Sequence, residues 1–350
     1  MNFRGLLALI VCIIASVYTS VYGGYKYVNY SFNLAKVNAS TTQTLITITQ
    51  PQKTTTPPAE APAQQTNNNT QNSNSQNNNV ITVSATGTAI GKIISEFLSP
   101  YGANTSYGNV FIKNSTSANI DIAALLNKNL GYKIKKNSDP QVLIVHTHTT
   151  ETYIAHSSDY YTENDESRTL DENKNMVHIG NIFEQKLSSA GIAVLHDKTV
   201  HDHPSYTGSY SRSYNTVTAD LKAYPSVKIV IDIHRDALAN GNDKIKPVVN
   251  INGQNSAQVM LVMGSQTGSI KNFPNWQENL SLAVKYQNKM EEMYPGLARA
   301  LMLNEGKYNQ HIMPGSILLE VGSDANTLTE AETAAQFAAE ALISTLETLK

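Results

Sequence analysis

The sequence predicts an α/β domain in which a single mostly parallel sheet is flanked by helices. Two observations carry this reading. From Val142 onward, short apolar runs alternate with segments whose apolar residues recur at helical spacing. Three of those runs, Val142–Val145, Val227–Ile233 and Ile317–Leu319, end in chemistry-bearing polar residues. In open α/β sheets ligands gather at the carboxyl ends of the strands.

Taken in chain order, Ile90–Leu98 reads as a short amphipathic helix, with Ile93, Ile94, Phe97 and Leu98 on one side. Val110–Lys113 reads as a strand, and Ile120–Leu130 as a helix stopped by Gly131. Val142–Val145 is a strand. Met176, Ile179, Ile182, Phe183 and Leu187 form a helical stripe that ends at Gly191. Ile192–Leu195 is a strand, and Thr216–Tyr224 a helix that ends before Pro225. Val227–Ile233, the longest apolar run, is a central strand, followed by a strand at Val259–Met263. Leu280–Leu303 contains one or two helices, broken near Pro295–Gly296. After the strand Ile317–Leu319, Thr327 and Glu330 have capping-box spacing and open a last helix toward Leu349.

The N-terminal part is organised differently. Leu6–Tyr18 is almost wholly apolar, with Arg4 before it and Lys26 after it. This segment, residues 1–23, reads as a membrane anchor in preference to a cleaved signal peptide, and both readings export the rest of the chain. Residues 24–80 form a low-complexity linker. Pro51–Asn79 has no large aliphatic or aromatic residue, so it cannot offset the entropy of ordering. Residues 81–140 form a prelude packed on a catalytic domain at 141–350.

The chain of 350 residues carries 26 basic and 28 acidic residues, and no basic stripe, which excludes nucleic acid as the partner class. The one cysteine, Cys12, lies in the apolar N-terminal segment. Disulfides and thiolate metal sites are thereby excluded. A zinc site here would have to use His and carboxylate ligands, which suits a catalytic centre better than a structural one.

Candidate ligands stand where the three runs end. Gln141–Tyr153 (QVLIVHTHTTETY) delivers His146, His148 and Glu151; the second run delivers Asp232, His234, Arg235 and Asp236; the third delivers Glu320. Neutral imidazole is a common zinc ligand. His146 is either a further ligand or a stabiliser of the oxyanion. Arg235 is suited to hold a substrate carboxylate, with an Arg–Asp structural network as the competing reading. Glu320, a lone acid in an apolar run, reads as the catalytic base, because such an environment raises a carboxyl pKa toward the range useful for proton transfer. The third ligand stays open between Glu151, Glu172 and His146. His201-Asp202-His203 reads as part of a substrate-facing or surface loop, in which Tyr206, Tyr210, Arg212 and Tyr214 line a groove for sugar or peptide.

Four blocks in order, VLIVHTHTTETY, SYTGSYSRS, KIVIDIHRD and SILLEVGSDANTLTEA, resemble the stage II sporulation protein P family over about Asn109–Lys350. The layout is more distantly similar to that of the zinc N-acetylmuramoyl-L-alanine amidases. The resemblance implies an amidase-like fold and an exported, membrane-anchored, zinc-dependent hydrolase that cuts peptidoglycan during engulfment. It further implies both amidase and endopeptidase chemistry, partner proteins D and M of the same sporulation stage, and a place facing the wall or septum. By that pattern His148 and His234 fall on ligand positions and Glu320 on the general base, while the family's ligand Glu does not transfer cleanly. Two other readings compete: a different metal-dependent amidohydrolase, and a catalytically inactive peptidoglycan-binding scaffold.

Overall fold

Four consecutive apolar residues, Val142–Val145, form strand β4, which is buried on both faces and therefore belongs to the middle of a layered structure. It lies in an eight-stranded sheet of order β2-β3-β12-β11-β13-β7-β4-β6. The other members are β2 (Thr105–Tyr107), β3 (Val110–Asn114), β6 (Val194–His196), β7 (Ile229–Asp236), β11 (Val259–Ser265), β12 (Leu301–Glu305) and β13 (Ser316–Ser323). The computed structural model describes residues 85–136 and 139–349, all within one unit, Asn78–Lys350. The expected anchor and the whole of the expected linker lie outside the described residues. Among the described residues no helix is long and apolar enough to cross a membrane.

The sheet is mixed, which corrects the expectation of a single, mostly parallel one. Strands β13, β7, β4 and β6 are mutually parallel, as are β3, β12 and β11, but the two blocks meet antiparallel at β11/β13 and β2 is antiparallel at the edge. A second sheet contains β1 (Ala89–Glu96), β5 (Tyr160–Thr162), β9 (Asp243–Ile251) and β10 (Gln254–Ala257), with β8 (Ala239–Asn240) paired to β9. Strand β1 covers most of the segment expected to be a helix. Its local spacing fits a helix, but pairing with β9 on one side and β5 on the other satisfies its backbone as a strand.

Five helices complete the fold: α1 (Ile122–Asn127), α2 (Met176–Ser189), α3 (Ser209–Ala223), α4 (Trp276–Met293) and α5 (Leu328–Glu347). The region Leu280–Leu303 therefore holds part of one helix and a strand, β12. Helix α5 begins with the expected capping box between Thr327 and Glu330. Its buried alanines, Ala331, Ala334, Ala335, Ala338, Ala339 and Ala341, are short enough to let α2 and α4 pack closely on either side. These helices cover one face of the sheet, meeting Val142, Ile144, Ile229, Ile231, Ile233, Ile317 and Leu319 in the main core. Helix α3 covers part of the other face, with Val217 against Leu143, Val145 and Val230.

Side chains alternate across a strand with period two, and this decides which face each polar residue reaches. His146 continues the parity of Val142 and Ile144, so it points into the helix-covered face. There its Nδ1–H donates to the Ile233 carbonyl at 3.0 Å, and its Nε2 lies 2.9 Å from His196 Nε2. Helix α2 approaches this imidazole pair at Gly180, where a Cβ would stand 2.5 Å from His196 Nε2 and 2.7 Å from His146 Nε2. Burial, with the neighbouring His196 ring second, lowers the pKa of His146 to about 3. Burial, with Lys198 second, lowers that of His196 to about 4.

Two outcomes follow from this pair. Gly180→Ala should force α2 and the two rings apart and destabilise the fold by about 1–3 kcal/mol, measured by urea unfolding; an unchanged midpoint would show that the close approach is not there. Both rings are neutral in the folded chain, whereas free histidines near pKa 6.5 protonate. Stability is therefore fully present above pH 6.5 and lost as pH falls through the folded values of about 4 and 3. His196→Gln keeps a polar partner beside His146 and removes one titrating ring. Its stability should fall less steeply with acid, by up to about 1.4 kcal/mol per pH unit, and a slope equal to that of the parent chain would contradict the assignment.

Candidate active site

The opposite parity gathers a different set. On β7, Asp232 and His234 share the face of Val230; on β13, Glu320 shares the face of Leu318. The two strands are parallel and in register, with Glu320 paired to His234 and Leu318 to Asp232. The chain leaves β4 at Val145 and turns, which brings His148 over this face with its ring centroid 5.1 Å from that of His234, edge to face. Glu151 follows in the same turn, with Oε2 3.7 Å from His234 Nδ1. All of this lies toward the carboxyl ends of β4, β7 and β13.

Each group is fixed by neighbours. Asp232 accepts the Thr147 backbone N–H at 2.8 Å and the Thr147 hydroxyl at 2.6 Å. Its Oδ1 is 2.9 Å from His234 Nε2, near enough for an ion pair though off the line of a hydrogen bond. Glu151 is buried, accepts from the Arg235 backbone N–H, and is flanked by the guanidinium groups of Arg168 and Arg235. His148 stacks on Tyr206, whose hydroxyl lies 3.2 Å from His148 Nε2, and meets Tyr210 edge-on. Among the described residues three buried atoms of the cluster, His148 Nδ1, His234 Nε2 and Glu320 Oε2, have no hydrogen-bond partner. An unpaired buried polar group costs about 1–3 kcal/mol, so their persistence in one cluster marks a place shaped for something other than stability.

The electrostatics concentrate at the same place. Burial opposes the charge on His234, but the Asp232 carboxylate beside it, helped by Glu151 and Glu320, raises its pKa to about 9. Burial raises the Glu320 carboxyl to about 8, with the His234 charge only partly offsetting it. Burial, then the His234 charge, lowers His148 to about 4. Burial also opposes ionisation of Asp232, yet His234 and Thr147 bring it down to about 2. Large shifts in opposite directions within one cleft are characteristic of sites that move protons or hold cations.

Not every residue singled out in the sequence reaches this cluster. His148, His234, Glu151 and Glu320 come together. His146 does not: its parity sends it to His196 and the helices. Arg235 is buried, and its guanidinium is committed to the Thr152 and Ser167 carbonyls and to Glu151, so it is not free to hold a substrate carboxylate. Arg212 is likewise spent on the carbonyls of His201, Ser205 and Thr207, where it braces the loop that carries Tyr206. Glu172 is exposed, away from the cluster's hydrogen bonds. His201 and Asp202 are buried, so that loop is pinned rather than free: His201 bonds the His146 carbonyl and Thr216, and Asp202 bonds Thr150 and Arg168. Sequence reasoning missed Arg168, which spans Asp202, Glu151 and the Tyr206 ring. It lies in a polar stretch with no periodicity to single it out.

Two imidazoles and two carboxylates are a nitrogen-and-oxygen donor set of the kind found at catalytic zinc centres. The unpartnered His148 Nδ1, on a ring that meets His234 edge to face, fits a metal ligand. Asp232 would take the outer N–H of His234, the usual way a carboxylate orients a ligating imidazole. Among the described residues, however, no three His, Cys, Asp or Glu side chains already converge on one point closely enough to ligate. The donors fit zinc by type and placement, and coordination itself requires the rings to turn toward a common centre.

Comparison with known proteins follows the sequence blocks. The model of a family described as Stage II sporulation protein P (SpoIIP) matches residues 19–343. The stage II sporulation protein P of Bacillus subtilis (strain 168) is 31% identical over 210 residues, covering 57% of this chain and 49% of that protein. The chain thus spans about half the length of this curated relative. Among solved structures, the CwlD amidase from Clostridioides difficile, in complex with the GerS lipoprotein, is 13% identical over 61% of this chain and 98% of its own, with a TM-score of 0.39. The N-acetylmuramoyl-L-alanine amidase AmiC2 of Nostoc punctiforme is 10% identical over 59% of this chain and 94% of its own, with a TM-score of 0.33. With the family model matched from residue 19 to residue 343, the chain belongs to the stage II sporulation protein P family.

Proposed function

We propose that this chain is an exported, membrane-anchored peptidoglycan hydrolase of sporulation that uses zinc to cleave the amide between N-acetylmuramoyl and L-alanine. The observation that carries the proposal is the convergence of His148, His234, Glu151 and Glu320 on one sheet face, with His148 Nδ1 and Glu320 Oε2 buried and unpartnered. Family membership supports the substrate class, and the apolar segment Leu6–Tyr18 supports the anchor. Stem-peptide endopeptidase activity and the sporulation partners D and M extend the proposal on the family resemblance alone.

His148, His234 and Glu151 would hold the metal. When bound, zinc supplies Lewis-acid polarisation of the amide carbonyl and makes a water molecule acidic near neutral pH. The protein's own groups do the rest. In its ionised form Glu320 would take a proton from the attacking water and return it to the departing nitrogen, and the burial that raises its pKa to about 8 makes that carboxylate the more basic. Asp232 holds His234 in one orientation, and Thr147 holds Asp232. The half-exposed tyrosines of the Tyr206–Tyr214 segment give flat apolar faces on which sugar or peptide can lie.

Glu320→Gln should lower release of muropeptides from purified cell walls by about 10²–10⁴-fold while leaving the fold and zinc binding intact. Full digestion by that variant would remove Glu320 from the chemistry. Treatment of the parent protein with a strong chelator should abolish digestion, and added zinc should restore it. Elemental analysis should find zinc in the parent protein and much less in His148→Ala or His234→Ala. Digestion that persists after chelation would contradict the metal's part in the reaction.

A further inference from the structure

The reaction proposed above places negative charge on the carbonyl oxygen of the scissile amide. When water's oxygen adds to the carbonyl carbon and Glu320 takes its proton, that oxygen becomes anionic. The C–N bond then breaks, the nitrogen leaves with the proton from Glu320, and the products are a carboxylic acid and an amine. A donor fixed in advance beside that oxygen lowers the barrier. The guanidinium groups nearest the cluster, those of Arg168 and Arg235, are engaged by Asp202, Glu151 and backbone carbonyls.

Tyr206 and Tyr210 pack their rings on His148 and Tyr308 packs on Tyr210, and the hydroxyls of Tyr206 and Tyr308 have hydrogen-bond partners. That of Tyr206 lies against His148 Nε2, with its ring under Arg168. That of Tyr308 accepts from Asn304 Nδ2 at 3.2 Å, and its ring meets Tyr210 rather than His148. Tyr210 differs. Its ring meets His148 edge-on at 5.6 Å and Tyr308 at 6.4 Å, and among the described residues its side chain makes no hydrogen bond. Its backbone, by contrast, is clamped. The Tyr210 carbonyl accepts from Asn309 Nδ2 at 2.8 Å and from Ser213 Oγ at 3.2 Å, and Asn309 Nδ2 also donates to Ser213 Oγ at 3.0 Å. Asn309 itself holds a left-handed backbone with φ 56°, and Ser213 joins Thr147, which bonds Asp232. One network therefore fixes both His234 and the residue that carries the free phenol. Tyr210 is also the second residue of α3, whose N-terminal turn brings its positive end to the same side.

We infer that Tyr210 is a catalytic residue whose phenol O–H donates a hydrogen bond to the carbonyl oxygen of the scissile amide as that oxygen gains charge. It keeps its proton throughout, so no further acid or base is required. This inference rests on the hydrolase reading of the same site.

The test uses the full chain and soluble glycan strands bearing stem peptides. Tyr210→Phe removes one oxygen and retains the ring that packs on His148. It should reduce kcat by about 10²–10³-fold, with KM little changed and zinc content equal to that of the parent protein. Wild-type kcat in Tyr210→Phe, or a raised KM with kcat intact, overturns the inference. Glu320→Gln measured beside it separates the two ideas. Activity retained in Glu320→Gln sinks the hydrolase reading of the site, whereas an inactive Glu320→Gln beside a fully active Tyr210→Phe sinks the role of Tyr210 alone.

Discussion

The parallel register between β7 and β13 is the constraint on which the site depends. It pairs Glu320 with His234 and Leu318 with Asp232, so one polar and one apolar position of β13 lie beside two polar positions of β7 on the same face. A slip of one residue would move Glu320 into the helix-covered core, where Leu319 now lies, and expose Leu319 in its place. The main core prevents that slip. Ile229, Ile231, Ile233, Ile317, Leu319 and Val321 all face the helices, and fully burying each is worth about 1.5–3 kcal/mol. The fold thus aligns the site by the hydrophobicity of residues that never touch it.

The site itself works against stability. Glu151, Asp232 and His234 are buried beside one another, and each would be costly alone. Asp232 is offset by Thr147 and His234, and Glu151 by a backbone N–H and two guanidinium groups. His148 and Glu320 are the exceptions: among the described residues His148 Nδ1 and Glu320 Oε2 have no hydrogen bond, and the Glu320 carboxyl resists ionisation. Compensation is therefore nearly complete at Asp232 and Glu151 and withheld at His148 and Glu320.

Much of this was legible from the sequence, for identifiable reasons. The runs at Val142, Val227 and Ile317 are buried strands in the main sheet, and their polar ends announced which residues meet. The family blocks led to the family that the full-length comparison supports. The separation of His146 from His148 was not legible, because the two share one strand parity and only the turn after Val145 carries His148 to the other face. What escaped was set by distant partners. Strand β1 owes its form to β9 and β5, and the antiparallel join of β11 to β13 follows no local signal. Helix α3 begins seven residues before the expected Thr216, and its first turns bury two polar residues, Ser209 and Ser213, the second held by hydrogen bonds with Tyr210 and Asn309. Arg212 and Arg235 have the chemistry of substrate clamps, but backbone carbonyls consume it, and only coordinates reveal such commitments.

The central claim is that one divalent ion draws together His148, His234 and Glu151, with Glu320 poised beside it and His146 apart. Anomalous diffraction at the zinc edge from crystals grown with zinc tests this most directly. The account predicts a single strong peak within about 2.0–2.2 Å of donor atoms from those three side chains. A peak between His146 and His196, or none near His148 and His234, would contradict it.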